Sequence, residues 1–337
     1  MDDAADFARE QEEAPLAPAY LQPGVIWSCW READGLAVDH LLPPADASFR
    51  WVHLDLSDRR SLRWVRGEAA LPAELAAIFT ESDDQPRAIV WRGSIGLVLP
   101  DLERDFDSVE TGRIGQLRIV VRPGLLITGR YRPLATPDQM RARLDTGNPA
   151  DAASALDLAL TALADTIDER TDRILSELLA LEDQILADED TPDTRALVAM
   201  RRLSARLHRM AGGSRAAVHR IEADPTLTPA LRETLQRASH RLLGLEREIV
   251  GAQAQLRLLR EELDLQAGQR TNENVYLLSI VTALFVPATL VTGFFGMNTG
   301  GMPFERGAGG TVLAALMALA CSGATWLILR RLGLVRR

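Results

Sequence analysis

The sequence has 337 residues, of which 47% are hydrophobic and 25% are charged, and its formal net charge is −9. This length accommodates two folding units of ordinary size, and the acidic balance argues against nucleic acid as a partner because nucleic-acid binding usually requires a basic patch. The two cysteines, Cys29 and Cys321, exclude a cysteine-based zinc motif and argue against a disulfide framework.

The first part of the chain predicts an acidic tail followed by a mixed α/β domain. Residues 1–22 are acidic and lack the apolar core of a signal peptide, so we expect them to be disordered and cytosolic. Residues 23–150 combine β-rich runs, turn residues and short helical patterns, which predicts a cytosolic α/β domain. The predicted strands are 25–30, 51–56, 88–91, 95–99, 117–121 and 125–128, with hairpin turns at 92–94 and 122–124 and helices at 61–68 and 72–80.

The polar residues of this domain carry no recognisable catalytic motif. For the histidines a structural role is favoured over a metal site, because they are scattered along the chain: His40, His53, His208, His219 and His240. The run Asp101, Glu103, Asp105 and Asp107 superficially resembles a calcium loop but lacks its glycine and closing glutamate. A solvated loop is the favoured interpretation of this run, and a weak cytosolic cation sensor between subunits is the alternative.

Helical patterns dominate the next part of the chain. In residues 151–227, apolar residues recur at spacings of three and four on two segments, which predicts antiparallel helices of a stalk bundle. Residues 228–295 predict one long stalk helix that continues into a membrane span. An apolar seam that alternates spacings of four and three, typical of coiled-coil packing, consists of Leu231, Leu235, Ala238, Leu242, Leu245, Ile249, Ala252, Leu256, Leu259 and Leu263.

Two uncharged stretches near the C-terminus predict transmembrane helices. Residues 275–295 and 311–329 are roughly 31 Å and 28 Å long as helices, about the thickness of a bilayer core. The competing interpretation is a buried core helix. Arginines precede the first span and follow the second in the basic tail 330–337, so the positive-inside rule predicts cytosolic termini and an extracytoplasmic loop at 296–310.

One face of the first span is lined by small and hydroxyl-bearing residues. This face, which we call the hydroxyl stripe, consists of Asn272, Val275, Ser279, Thr282, Val286, Thr289 and Gly293. Such a face suits either close helix packing or a water-filled path. The stripe by itself slightly favours packing.

The loop after the first span carries a motif that resembles the CorA family of divalent metal-ion transporters. Gly296, Met297 and Asn298 directly follow the span that contains Pro287, and Thr299, Gly300, Gly301, Met302 and Pro303 continue the loop. The doubled glycine before Met302-Pro303 is similar to the zinc-transport branch, ZntB. The sequence departs from magnesium-type members by having Phe304 directly after Met-Pro, with Glu305 one residue later.

The resemblance implies a funnel-shaped homopentamer in the inner membrane. Five copies of the first span would line a central pore, five copies of the second would surround them, and the Gly-Met-Asn loops would form the outer mouth. On this resemblance the hydroxyl stripe faces the pore. The implied cargo is zinc, with nickel, cobalt, cadmium and magnesium as further candidates, and with protons as one candidate driving force.

The residue types on the stripe are those that suit a hydrated ion. Replacing the water shell of a divalent cation requires carboxylate, imidazole or thiolate ligands, and the stripe has none. We therefore expect the Asn298 carbonyls to bind the outer water shell, with no resident cofactor, and Val275, Leu278 and Val286 to form apolar constrictions.

Charged residues near the two ends of the spans are expected to tune cation entry. Glu305 outside and Glu261, Glu262, Asp264 and Glu273 inside would raise the local cation concentration. The arginines of the tail either form a positive collar or simply orient the second span; they are Arg330, Arg331, Arg336 and Arg337. The alternative functions are a CorA-type magnesium and cobalt channel and a sensor or scaffold with a non-conducting pore. An enzyme is the least supported interpretation.

Overall fold

The computed structural model describes residues 24–32, 35–81, 83–104, 113–186, 194–297 and 308–333. Two compact units divide the chain: an N-terminal unit, Met1–Arg257, and a C-terminal unit, Leu258–Arg337. Several predictions concern residues outside the described ranges. These are the acidic tail 1–22, Asp105, Asp107, the loop residues Asn298 to Glu305, and Arg336 and Arg337.

The N-terminal unit is built around a seven-stranded mixed sheet with the order β2-β1-β3-β7-β6-β5-β4. Only the central pair β3 and β7 is parallel, and the other neighbours are antiparallel hairpins or returns. The two predicted hairpin turns are confirmed, since Gly93 and Gly124 adopt positive φ values of 79° and 71° between paired strands. The strands are β1 Val25–Glu32, β2 Gly35–Asp39, β3 Arg50–Asp55, β4 Arg87–Trp91, β5 Ser94–Leu102, β6 Ile114–Arg122 and β7 Leu125–Arg130.

Both faces of the sheet are covered, because alternate residues of the central strands belong to two different cores. Helices α1, Arg59–Arg66, and α2, Ala73–Thr80, pack on one face around Val52, Val65 and Phe79. The other face packs against the long helices around residues such as Trp51, Leu97, Leu156 and Val218. The continuous burial of β5 is the result, because each of its faces meets a helical layer.

The structure adds two elements that the sequence pattern did not predict. Strand β2 pairs with β1 at the sheet edge, and helix α3, Ala135–Gly147, follows β7. Pro137 lies in the first turn of α3, where a missing backbone N–H costs nothing. The N–H of Thr136 donates instead to Asp101 Oδ2 of β5, at 3.0 Å, so the helix begins on a cap supplied by a distant strand.

Three long helices complete the N-terminal unit: α4, Ala152–Leu186; α5, Thr194–Ile221; and α6, Pro229–Gly296, which crosses into the C-terminal unit. The predicted leucine seam of α6 is buried from Leu231 to Leu259 except at Ala238, which is half-buried, as is Leu263. Arg237 bonds to Asp157 at 2.8 Å and Arg215 to Glu246 at 2.7 Å, so ion pairs join the helices outside the seam.

The C-terminal unit consists of the end of α6 and of α7, Ala308–Arg331. Both helices contain a stretch long and apolar enough to cross a membrane. Their large apolar side chains are exposed, including Leu278, Phe285, Leu290, Leu316 and Leu319. Exposed apolar surface on this scale needs lipid or another protein surface to cover it.

Candidate functional site

Helix α7 packs against one face of the membrane-spanning part of α6. The half-buried residues of α6 define this face at helical spacing: Ile280, Ala283, Leu284, Pro287, Ala288, Val291 and Phe295. Ser322 Oγ of α7 donates to the backbone carbonyl of Leu284 at 3.0 Å. This contact involves the carbonyl three residues before Pro287 and therefore supports the helix close to its proline.

The hydroxyl stripe lies on the opposite face of the same helix. At about 100° of rotation per residue, Thr282, Val286, Thr289 and Gly293 lie roughly 180° from the centre of the face that packs on α7. All seven stripe residues are exposed. Within one chain α7 takes the other face, so the choice between helix packing with another copy and a water-filled path stays a prediction.

The hydroxyl groups of the stripe have their hydrogens engaged and their lone pairs directed outward. Ser279 Oγ donates to the Val275 carbonyl at 2.7 Å, and Thr282 Oγ1 donates to the Leu278 carbonyl at 2.8 Å. Thr289 Oγ1 bonds in the same way to the Phe285 carbonyl at 2.9 Å. A hydroxyl with its proton committed to its own helix can still accept hydrogen bonds. The stripe therefore presents acceptors among apolar side chains.

The predicted site residues outside the stripe lie elsewhere on α6 and on α7. Glu261, Glu262 and Glu273 are exposed on α6, and the predicted constriction residue Leu278 is exposed, as are the two constriction residues that belong to the stripe, Val275 and Val286. Gly296 ends α6, and the Met297 N–H donates to the Phe294 carbonyl at 3.4 Å. Arg330 and Arg331 occupy the last turn of α7, where the Arg330 guanidinium lies 5.3 Å from the centre of the Trp326 ring.

The acidic run in the N-terminal unit is not a solvated loop where the structure describes it. β5 continues through Pro100 to Leu102, so Asp101 is buried and accepts hydrogen bonds from the Thr136 N–H and, at 2.8 Å, from Thr136 Oγ1. Burial raises the pKa of Asp101 to about 7. In the described part of the chain, His, Cys, Asp and Glu side chains form no group of three that could hold a metal.

The histidine in β3 has the structural role that was expected. His53 is fully buried, stacks on the Trp27 ring, and has its Nδ1 2.9 Å from Thr128 Oγ1. Desolvation lowers the pKa of His53 to about 3, so the ring is neutral at physiological pH. A neutral imidazole enclosed by a core packs between strands and has no open path to a metal ion.

These features define a membrane protein in which a helix-covered α/β unit precedes two C-terminal spanning helices. The chain belongs to the family described as CorA-like Mg2+ transporter protein, whose family model matches residues 46–331. This is a family of ion transporters, so the protein is not an enzyme. The family and the two candidate spans together place the protein in a membrane.

Curated relatives match most of the chain at low identity. The zinc transport protein ZntB of Pectobacterium atrosepticum is 25% identical over 285 residues, which cover 83% of this chain and 86% of the relative. The divalent cation transporter CmaX of Pseudomonas aeruginosa is 27% identical over 308 residues, which cover 88% of this chain and 90% of the relative.

Solved structures share the fold. The full-length CmaX structure gives a TM-score of 0.74 at 25% identity and covers 92% of this chain and 98% of that chain. The CorA magnesium transporter from Methanocaldococcus jannaschii gives a TM-score of 0.75 at 16% identity and covers 92% of this chain and 99% of that chain.

Proposed function

We propose that this protein transports divalent cations through a pore lined by the hydroxyl stripe of α6. The observation that carries the proposal is the position of the stripe. It is exposed on the face of α6 opposite α7, and the same helix ends at Gly296, two residues before Asn298. A polar, acceptor-rich face on a membrane helix is expensive against lipid, so it is expected to face water.

The pore requires several copies of the chain, because one stripe cannot enclose a path. We propose a homopentamer in which α6 helices surround the axis and α7 helices lie outside them, as the family resemblance implies. The placement of α7 on the far side of α6 is compatible with that order. With the arginines at the ends of the spans, the proposed site is the inner membrane, with both termini cytosolic.

The chemistry of the stripe supports passage of a hydrated ion. Water bound to a cation directs its hydrogens outward, and the stripe hydroxyls offer the acceptors that those hydrogens need. Asn298 carbonyls at the outer mouth would bind the same outer shell. Such outer-sphere contacts are weak enough to release the ion, as conduction requires.

Zinc is the cargo that we propose first, because the relatives named as zinc transporters match over most of the chain. Nickel, cobalt, cadmium and magnesium are expected to compete, since hydroxyl and amide oxygens discriminate poorly among hydrated divalent ions. Proton coupling would have to act away from the stripe, which has no titratable side chain.

The flanking charges are assigned to the mouths of the pore. Glu305 outside and Glu261, Glu262 and Glu273 inside would concentrate cations, while Val275, Leu278 and Val286 would narrow the path. For the C-terminal arginines the contact between Arg330 and Trp326 favours an anchoring role, which we extend to Arg331, Arg336 and Arg337.

Zinc uptake into proteoliposomes tests the function directly. The purified wild-type protein should admit zinc, and Asn298→Ala should slow uptake by about tenfold or more because each of five chains loses its ligand for the water shell. Asn274→Ala is the matched control, since it removes an exposed amide of α6 that lies off the stripe. No uptake of zinc or of any competing ion by the wild type would support the scaffold alternative instead.

A further inference from the structure

The N-terminal unit contains a cavity of about 730 Å³ between the sheet and α5. Arginines dominate its wall, and they come from both sides. Arg113 directly precedes β6 and Arg118 lies within it. Arg132 follows β7, and Arg206 and Arg209 lie one helical turn apart on α5. Two carboxylates, Asp84 and Glu103, also line the cavity, so among the lining residues that the structure describes five guanidinium groups face two acids.

Arg118 forms the fixed part of this wall. Its side chain is only 1% exposed and donates to the carbonyls of Ile78, at 2.5 Å, and Glu81, at 2.8 Å. The guanidinium also lies 5.2 Å from the centre of the Tyr131 ring. Its Nε hydrogen is buried without an acceptor among the described residues, and its nearest carboxylate oxygen, on Asp84, is 3.7 Å away.

The α5 side of the cavity carries positive charge that the described residues do not neutralise. Arg206 is half-buried and Arg209 is exposed, and neither forms an ion pair with any carboxylate that the structure describes. On the sheet side, Arg132 reaches Glu103 at 3.4 Å. A partly enclosed group of like charges is unfavourable until an opposite charge enters, and burial already lowers the pKa of Arg118.

We propose that this cavity binds a multiply charged phosphate anion, held between the arginines of the sheet and those of α5. The planar fork of guanidinium matches phosphate oxygens in pairs, which favours phosphate over a spherical halide. The volume suits a small molecule of the size of a diphosphate or a nucleotide. The excess of guanidinium groups among the described lining residues disfavours a divalent cation at the same place.

The site links two parts of the N-terminal unit. Arg118 and Arg132 belong to the sheet side and Arg206 and Arg209 to α5, so one anion bound among them would stabilise the contact between the sheet and the helix. Binding should therefore raise the melting temperature of the unit in proportion to occupancy. This effect needs no cation flux and is separate from the proposed transport.

Isothermal titration of the purified full-length protein with pyrophosphate tests the proposal at about 0.15 M salt, where weak surface attraction is screened. We expect saturable binding of one anion per chain. The double variant Arg206→Gln/Arg209→Gln should weaken it by about tenfold or more. The matched control Arg201→Gln/Arg202→Gln removes the same charge from exposed positions of α5 outside the cavity and should change affinity less than twofold.

Two results would overturn the proposal: no saturable pyrophosphate binding by the wild type, or equal weakening in both double variants. Circular dichroism of each variant verifies that α5 remains folded, and zinc uptake measured in parallel keeps this test distinct from the test of transport. A second titration with ATP separates the possible sources of phosphate. If ATP binds more tightly than pyrophosphate, the ligand of the cavity is a nucleotide. If the two bind equally, the ligand is an inorganic polyphosphate.

Discussion

The two units of this protein differ in how far their apolar side chains are buried and in where their polar side chains find hydrogen-bond partners. In the N-terminal unit, large apolar residues such as Trp51 are fully buried, and buried polar groups such as Thr128 are bonded across strands. In the C-terminal unit, Leu278 is 66% exposed, and the hydroxyls of Ser279, Thr282 and Thr289 on the stripe bond to carbonyls of their own helix. Contacts within one chain therefore bury the apolar core of the first unit. The apolar surface of the second unit needs lipid and, in our proposal, further copies of the chain to cover it.

Truncating one large apolar side chain in each unit is the strongest test of this difference in burial. Trp51→Ala should lower the free energy of unfolding of the N-terminal unit by about 3 to 5 kcal/mol, because it opens a cavity in the core and leaves Thr128 without its indole partner. Leu278→Ala should leave that quantity unchanged. Chemical denaturation followed by tryptophan fluorescence measures both, and a loss below about 1 kcal/mol for Trp51→Ala would contradict the comparison.

The second prediction concerns pH and two buried groups of the N-terminal unit whose effects oppose each other. Asp101 has its pKa raised from 3.8 to about 7, so the stability it contributes is present below pH 3.8 and is lost as pH rises through 7. His53 has its pKa lowered from 6.5 to about 3, so its contribution is present above pH 6.5 and is lost as pH falls through 3. The free energy of unfolding of the wild type should therefore change little between pH 4 and pH 6.5, because the two contributions cancel.

Removing either group by substitution should reveal how the other makes the free energy of unfolding depend on pH. In Asp101→Asn the remaining His53 should make stability rise with pH across this window, by on the order of 3 kcal/mol, and in His53→Phe the remaining Asp101 should make it fall by a similar amount. Denaturant midpoints at several pH values provide the measurement. Parallel pH profiles for the wild type and both variants would show that neither group titrates as its burial requires.

Local patterns predicted most of the sheet but failed where a distant residue supplies the constraint. The hairpins follow from turn residues beside β-rich runs, and the structure confirms both. Helix α3 was missed because its cap comes from Asp101, far away in the sequence. The acidic run was misinterpreted for a related reason: Pro100 argues against a strand, yet β5 pairs with β6 through Pro100 and Asp101.

The candidate site also combines features that local sequence predicts with features that depend on distant residues. Spacing alone identified the hydroxyl stripe, because helical periodicity places its members on one face. Spacing did not show which face of α6 packs on α7 in the same chain, because that depends on a contact with a distant residue, Ser322. The arginine cavity was missed altogether, because Arg118 and Arg206 lie far apart in the sequence and line one cavity only when α5 packs against β4 and β5.

The third prediction has the smallest energetic effect and compares two threonines of the C-terminal unit, one on the hydroxyl stripe and one beside it. Thr289→Val removes one hydroxyl from the stripe while keeping the shape of the side chain, so zinc uptake into proteoliposomes should fall severalfold without loss of protein stability. Thr292→Val is the matched control. Its hydroxyl likewise bonds to carbonyls of its own helix, those of Ala288 and Thr289, each at 3.1 Å, but it lies roughly a quarter turn from the stripe.

The pair separates a water-lined path from a general need for hydroxyls in a membrane helix. Both substitutions remove the same group, abolish the same kind of bond to the helix backbone and add the same methyl, so effects on helix bending or on insertion should be shared. Only the loss of an acceptor for water bound to the ion is specific to Thr289. Equal uptake by the two variants would therefore place the stripe away from the path, and the proposed pore would have to follow another face of α6.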